Sequence, residues 1–207
     1  MAAEIITVYV ETPHQRTINR VVDVLKKGGV IVYPTDTIYG LGADLYNKKA
    51  MEKILRIKKQ TTTKPLSFIL PDLKDISTYA NVPDYAYKIM RRVTPGQYTF
   101  VLNATKEVPK LLLHKRKTVG IRIPDATFAL KIVEELGHPI LSTSVPQGDD
   151  EGYHTDPIEI AEKYGNEIDL ILDAGVMFNN PSTIVSFTDD GPEIIREGAG
   201  DIESLNY

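Results

Sequence analysis

The 207-residue chain contains no cysteine. Disulfide bridges, thiolate zinc sites and cysteine nucleophiles are thereby excluded, and nothing in the composition points to an oxidising compartment. Long apolar runs are missing as well. None approaches the ~20 residues that a membrane-spanning helix needs. Residues 1–7 lack the basic-then-apolar order of a secretory signal. The expectation is a cytoplasmic protein with no membrane partner. No G-x-G-x-x-G follows a strand and no G-x-x-x-x-G-K-[ST] is present, which disfavours a Rossmann site or a P-loop. No G-x-S-x-G elbow supports a serine triad. The four histidines (His14, His114, His138, His154) are scattered without zinc-type spacing, so no protein-built metal site is expected. Internal repeats and low-complexity tracts are also lacking.

What is present is ordinary in bulk and uneven in detail. Apolar residues make up 42% and charged residues 25%, enough for a real core in one domain spanning residues 1–207. The net charge of −4 hides an asymmetry. Residues 149–207 carry −13, from 15 acids and 2 bases, and residues 1–148 carry +9. A basic first part suits an anionic partner such as a nucleotide or RNA; charges spread on solvated faces are the plainer explanation.

β-branched and apolar runs predict strands over 5–10, 30–33, 66–70, 98–102, 118–123, 140–144, 168–172, 182–187 and 193–195. Helical spacing predicts helices over 18–27, from Asn47 as N-cap to about Lys58, and over 84–93, 126–136 and 157–164. Gly137 stops the fourth of these, and Pro157 suits the start of the fifth. Residues 106–117 read as basic and irregular, and 146–156 as a polar, mobile loop. Helices and strands roughly alternate, but several strands follow one another directly. The expected fold is therefore α/β, an open sheet of mixed direction flanked by helices.

The stretch from Val30 to Leu70 concentrates candidate chemistry. Thr35-Asp36-Thr37 follows a buried strand at Pro34, a usual place for a ligand in an α/β sheet. Gly40 and Gly42 remove side-chain bulk and would let a ligand approach the backbone. Lys58, Lys59 and Lys64 bracket the next strand, where ammonium groups could meet phosphate or simply close a helix dipole. Arg122 interrupts an apolar strand and needs an anionic partner, either a ligand or an internal carboxylate. Ser142-Thr143-Ser144 ends one strand, Ser182-Thr183 opens another, and Arg196-Glu197-Gly198 follows the last. This inventory suits transfer chemistry driven by positioning and charge neutralisation.

Taken together, Tyr33-Pro34-Thr35-Asp36-Thr37-Ile38-Tyr39-Gly40-Leu41-Gly42, Lys64-Pro65-Leu66, Pro95-Gly96-Gln97-Tyr98-Thr99, Gly120-Ile121-Arg122-Ile123-Pro124, Ser142-Thr143-Ser144, Ser182-Thr183-Ile184-Val185 and Arg196-Glu197-Gly198 resemble the YrdC/YciO family. The family includes the threonylcarbamoyl-adenylate synthases, and the resemblance runs from about residue 17 to 198. It implies a YrdC-like single domain, a twisted open mixed sheet with a large basic cavity. It also implies condensation of L-threonine, bicarbonate and ATP for tRNA modification, with magnesium carried on the phosphates. By the same resemblance, Thr37, Arg122, Ser144 and Ser182 would contact threonine, and Lys58, Lys64, Thr118 and Arg196 would serve ATP. Lys58 and Arg122 would be the catalytic cations. Three positions depart from the synthase pattern. Lys58-Lys59-Gln60 stands for Lys-x-Arg, Ile69 for a histidine, and Ser144-Val145-Pro146 for Ser-x-Asn. The pattern is closer to the YciO branch, so an RNA- or nucleotide-binding protein without full synthase chemistry is the alternative. The chain ends soon after Arg196, and the additional C-terminal domain of longer synthases is expected to be absent.

Overall fold

The computed structural model describes residues 3–58, 66–113, 117–145, 153–178, 180–189 and 191–206. Its strands are β1 (Glu4–Thr7), β2 (Val30–Tyr33), β3 (Gly40–Asp44), β4 (Ser67–Ile69), β5 (Ala80–Asn81), β6 (Tyr98–Ala104), β7 (Thr118–Arg122), β8 (Ile140–Ser144), β9 (Leu170–Asp173), β10 (Thr183–Ser186) and β11 (Glu193–Arg196). Its helices are α1 (Gln15–Lys26), α2 (Lys48–Ile57), α3 (Ile76–Tyr79), α4 (Asp84–Val93), α5 (Thr127–Leu136) and α6 (Pro157–Tyr164). Short 3-10 turns lie at Lys110–Leu112 and Glu203–Leu205.

The strands form one open sheet in the order β1-β9-β2-β3-β8-β4-β7-β6-β10-β11, with β5 beside β6. The sheet combines parallel pairs (β1/β9, β2/β9, β4/β7, β6/β10) with antiparallel ones (β2/β3, β3/β8, β4/β8, β6/β7, β10/β11). The mixed α/β fold expected from the sequence is the fold observed.

Local chemistry explains the helix limits. Asn47 Oδ1 accepts the Ala50 amide at 3.1 Å and caps α2. Asp156 Oδ1 accepts from Ile158 at 2.8 Å, with Pro157 in the first turn of α6. Gly137 ends α5 in the left-handed region at φ 83°, a conformation that suits glycine.

Successive strand residues face opposite sides of the sheet. On one side Val32, Leu41, Phe68, Ile121, Leu141 and Phe100 pack with the apolar faces of α2, α3, α4 and α6. On the other, Ile31, Tyr33, Ile69, Ile140, Leu170 and Leu172 pack with α1 and α5. This second apolar cluster stops at Ile69 and Ile140. Beyond it, the register aligns Gly42, Ser142, Ser67 and Gly120 across four neighbouring strands. The same face continues through Arg122 and Thr99 towards Arg196. A buried polar strip thus runs across the middle of an otherwise apolar sheet face.

β3 was not among the expected strands, because Gly40-Leu41-Gly42-Ala43 has low strand propensity. Its central position, between β2 and β8, supplies the pairing that propensity lacks. The charge asymmetry does not divide the molecule in space: Lys53 pairs with Asp169 at 2.7 Å and Arg56 with Glu167 at 3.7 Å, so bases of the first part meet acids of the last.

Candidate active site

Three small constellations lie on or beside the polar strip. The central one joins the loop after β2 to the end of β7. Arg122 Nη2 donates to Thr37 Oγ1 at 2.8 Å and more weakly to Thr35 Oγ1 at 3.4 Å, and it also donates to the Asp36 carboxylate. The Arg122 and Asp36 side chains are 11% and 5% exposed, so this is a buried ion pair. Of the two partners open to Arg122 from sequence, a ligand or an internal carboxylate, the fold supplies the carboxylate. Removing one member of such a pair typically costs about 3–5 kcal/mol.

The hydroxyl bonding in this loop has a direction. Thr35 Oγ1 donates to the Ile38 carbonyl at 2.7 Å and accepts the Thr37 amide at 3.1 Å. Its single proton is therefore used, so in the 3.1 Å contact between the two hydroxyls Thr37 is the donor. Thr37 then accepts from Arg122 and keeps one lone pair for a ligand N–H or O–H.

A second constellation joins β6, β10 and β11. Ser182 Oγ lies 2.8 Å from Thr99 Oγ1. Arg196 donates to the Ser182 carbonyl at 2.7 and 3.2 Å and to the Tyr153 hydroxyl at 2.8 Å. The third lies at the far end of β8, where Lys58 Nζ donates to the Ser144 carbonyl at 3.2 Å. Two strand spacings, on the order of 10 Å, separate β8 from β7 and β7 from β10. Thr118 is buried at the opposite end of β7 from Arg122, roughly 13 Å along the strand. Expected site residues are thus brought together in pairs: Thr37 with Arg122, Ser182 with Arg196, and Lys58 with Ser144. Lys64, Gln60 and Pro146 lie outside the described residues, as do Lys59 and most of the 146–156 loop.

One expectation is corrected. Gly40 and Gly42 do not open the backbone to a ligand. A Cβ at either position would lie 2.9 Å from the Tyr33 ring, so the glycines admit that ring onto β3. Tyr33 Oη then meets Ser142 Oγ at 2.7 Å, and burial pushes the phenol up to about 12. Gly120 has a related reason, since its Cβ would lie 2.8 Å from Ser67 Oγ. Ile69 is 1% exposed within the apolar cluster under α1 and α5, where an aliphatic side chain is at home. Sequence reading missed the partnerships of Asp36, Gln97 and Tyr153. The only sequence signal for Asp36 was its place between two threonines in the motif.

Beside the central constellation lies a groove of about 920 Å³, with Asp36, Arg92, Gln97, Asp125, Asp201 and Glu203 among its lining residues. Its ionisable lining is mostly acidic. Among the described residues, no three histidine or carboxylate side chains converge on a metal site, and no helix is long and apolar enough to cross a membrane.

An open mixed sheet with arginine-centred hydroxyl clusters at its strand ends defines a mixed α/β protein with buried polar groups on one sheet face. The model of the Sua5/YciO/YrdC family, described as "Telomere recombination", matches residues 23–198, and the chain belongs to that family. The uncharacterised protein YciO of Escherichia coli K12 is 43% identical over 197 residues, 95% of this chain and 96% of that protein. A putative threonylcarbamoyl-AMP synthase of Methanocaldococcus jannaschii is 33% identical over 98% of this chain and 96% of its own length. The crystal structure of E. coli YciO superposes with a TM-score of 0.94 at 41% identity, covering 99% of this chain and 100% of that one. Pyrococcus abyssi Sua5 complexed with L-threonine superposes at 0.86 and 28% identity, covering 94% of this chain and 57% of that one.

Proposed function

We infer that this protein is a threonylcarbamoyl-AMP synthase-like enzyme acting on L-threonine, bicarbonate and ATP. The observation that carries the reading is Arg122, buried on a polar strip with Nη2 2.8 Å from Thr37 Oγ1. A guanidinium suits an amino-acid carboxylate, and the remaining lone pair of Thr37 suits a donor on the same ligand. The L-threonine complex of P. abyssi Sua5 supports an amino acid as the class of ligand. In the proposed reaction the threonine amine and bicarbonate give a carbamate with loss of water. A carbamate oxygen attacks the α-phosphorus, and pyrophosphate leaves. Magnesium rides on the phosphates, and Lys58, Lys64, Thr118 and Arg196 are the residues proposed for the nucleotide.

A second reading is a binding protein for RNA or nucleotide without the full chemistry. It is favoured by Ile69, which is buried in an apolar cluster where the synthase pattern has a histidine.

The test is pyrophosphate release from ATP and magnesium. Release is expected only when L-threonine and bicarbonate are both supplied. Thr37→Val keeps the shape, removes the hydroxyl, and is expected to raise the threonine KM about tenfold, the scale of one lost hydrogen bond to a charged group. Background release with undiminished RNA or ATP binding would favour the second reading.

A further inference from the structure

The central constellation holds more order than an arginine waiting for a ligand would need. Asp36 is fixed at both its main chain and its side chain, from two other parts of the sheet. Its carbonyl accepts Gln97 Nε2 at 2.7 Å. One carboxylate oxygen accepts from Arg122 Nη2, and the other accepts the Asp125 amide at 3.0 Å. Gln97 is itself fixed, because its carbonyl accepts the Thr183 amide at 3.0 Å, just before β6 and at the start of β10. The loop carrying Thr35 and Thr37 is thus pinned to β6 and to the turn after β7.

This pinning decides what Arg122 can offer. Nη2 has two protons and three acceptors, Asp36, Thr35 and Thr37, so it is fully used. Among the described residues Nη1 has no acceptor, and Nε is buried without one. We propose that Asp36, held by Gln97 and the Asp125 amide, is a positioning residue that saturates Nη2 and leaves Nη1 of Arg122, with the Thr37 lone pair, for the ligand. The carboxylate of the ligand is then directed to Nη1, and its N–H or O–H to Thr37. Asp36 also cancels the Arg122 charge, so recognition rests on directed hydrogen bonds rather than on a net positive field. Gln97 donates to the Asp36 carbonyl and to neither Arg122 nor Thr37, so changing it leaves the groups assigned to the ligand in place.

The identity of the ligand rests on the function proposed above; the latch itself does not, and two measurements keep them apart. The first is calorimetric binding of L-threonine and, separately, of ATP with magnesium, to wild type, Gln97→Leu and Asp36→Asn. Gln97→Leu leaves the ion pair in place and keeps the protein testable where Asp36→Asn folds poorly. It is expected to weaken threonine about tenfold, the consequence of one lost positioning bond, and to leave ATP unchanged. The second is the Arg122 Nε–H resonance in ¹⁵N-edited spectra without ligand. It should be sharp and protected from exchange in wild type, and broadened or exchanging in Gln97→Leu. Threonine affinity within about twofold of wild type in Gln97→Leu, or equal weakening of both ligands, overturns the proposal. If wild type binds no threonine, the functional reading fails and the Nε–H signal alone decides: a resonance unchanged in Gln97→Leu overturns the latch.

Discussion

At the scale of single residues, the chain spends its unusual side chains on one another. Tyr33 lies over Gly40 and Gly42 with its hydroxyl against Ser142, and Arg122 is held by Asp36. The glycines of the motif are therefore packing residues, and a methyl group added there has nowhere to go. Gly42→Ala would place its Cβ 2.9 Å from the Tyr33 ring and 3.2 Å from Ile31. It is expected to lower stability by about 1–3 kcal/mol through overpacking, read as a lower urea midpoint with the slope unchanged. A midpoint equal to wild type would mean that the ring is free to move aside.

Single elements follow local rules closely enough to be read one at a time. α1 buries Ile18, Val21, Val22 and Leu25, the four positions that helical spacing selects. α4 spans the expected residues 84–93, and β2 and β8 coincide with the expected 30–33 and 140–144. α5 stops where Gly137 turns left-handed at φ 83°, and a Cβ added there would meet nothing within 4 Å. Gly137→Ala therefore tests backbone strain without steric crowding. A loss of about 1 kcal/mol is expected, measured by equilibrium denaturation, and an unchanged stability would show that the cap does not depend on glycine. The elements that sequence reading missed, β3, α3 and β5, are either glycine-rich or four residues or shorter. They carry too little periodicity to be seen without their neighbours.

Across the whole molecule the sheet buries phenols that the unfolded chain would expose. Burial pushes both Tyr33 and Tyr39 up to about 12, from an ordinary value of 10.0. Tyr39 is buried, donates to the Gly175 carbonyl at 2.7 Å and accepts the Ala174 amide at 3.0 Å, tying β3 to the segment after β9. Folding thus raises both values. Their contribution is intact below the unfolded value of 10 and is lost as pH rises through 12, because the unfolded chain gives up these protons first. For Tyr33 the difference corresponds to about 2–3 kcal/mol. The urea midpoint should fall steeply between about pH 10 and 12, and less steeply in Tyr33→Phe. Identical pH slopes for wild type and variant would remove Tyr33 as a cause.

The sequence by itself determined the periodic elements, the α/β class and the motif that marks the family, because these depend on spacings of a few residues and on local caps and turns. It also placed Thr37, Arg122, Ser182 and Arg196 among the residues of interest. Only the tertiary structure decided who meets whom. Asp36 and Arg122 are 86 positions apart, Tyr33 and Ser142 are 109, and Thr99 and Ser182 are 83. Strand order and register bring those pairs to hydrogen-bonding distance, and no local pattern encodes the order in which the described strands join. The same nonlocal pairing gave Arg122 a carboxylate of its own chain and filled the space over the glycines with a tyrosine ring.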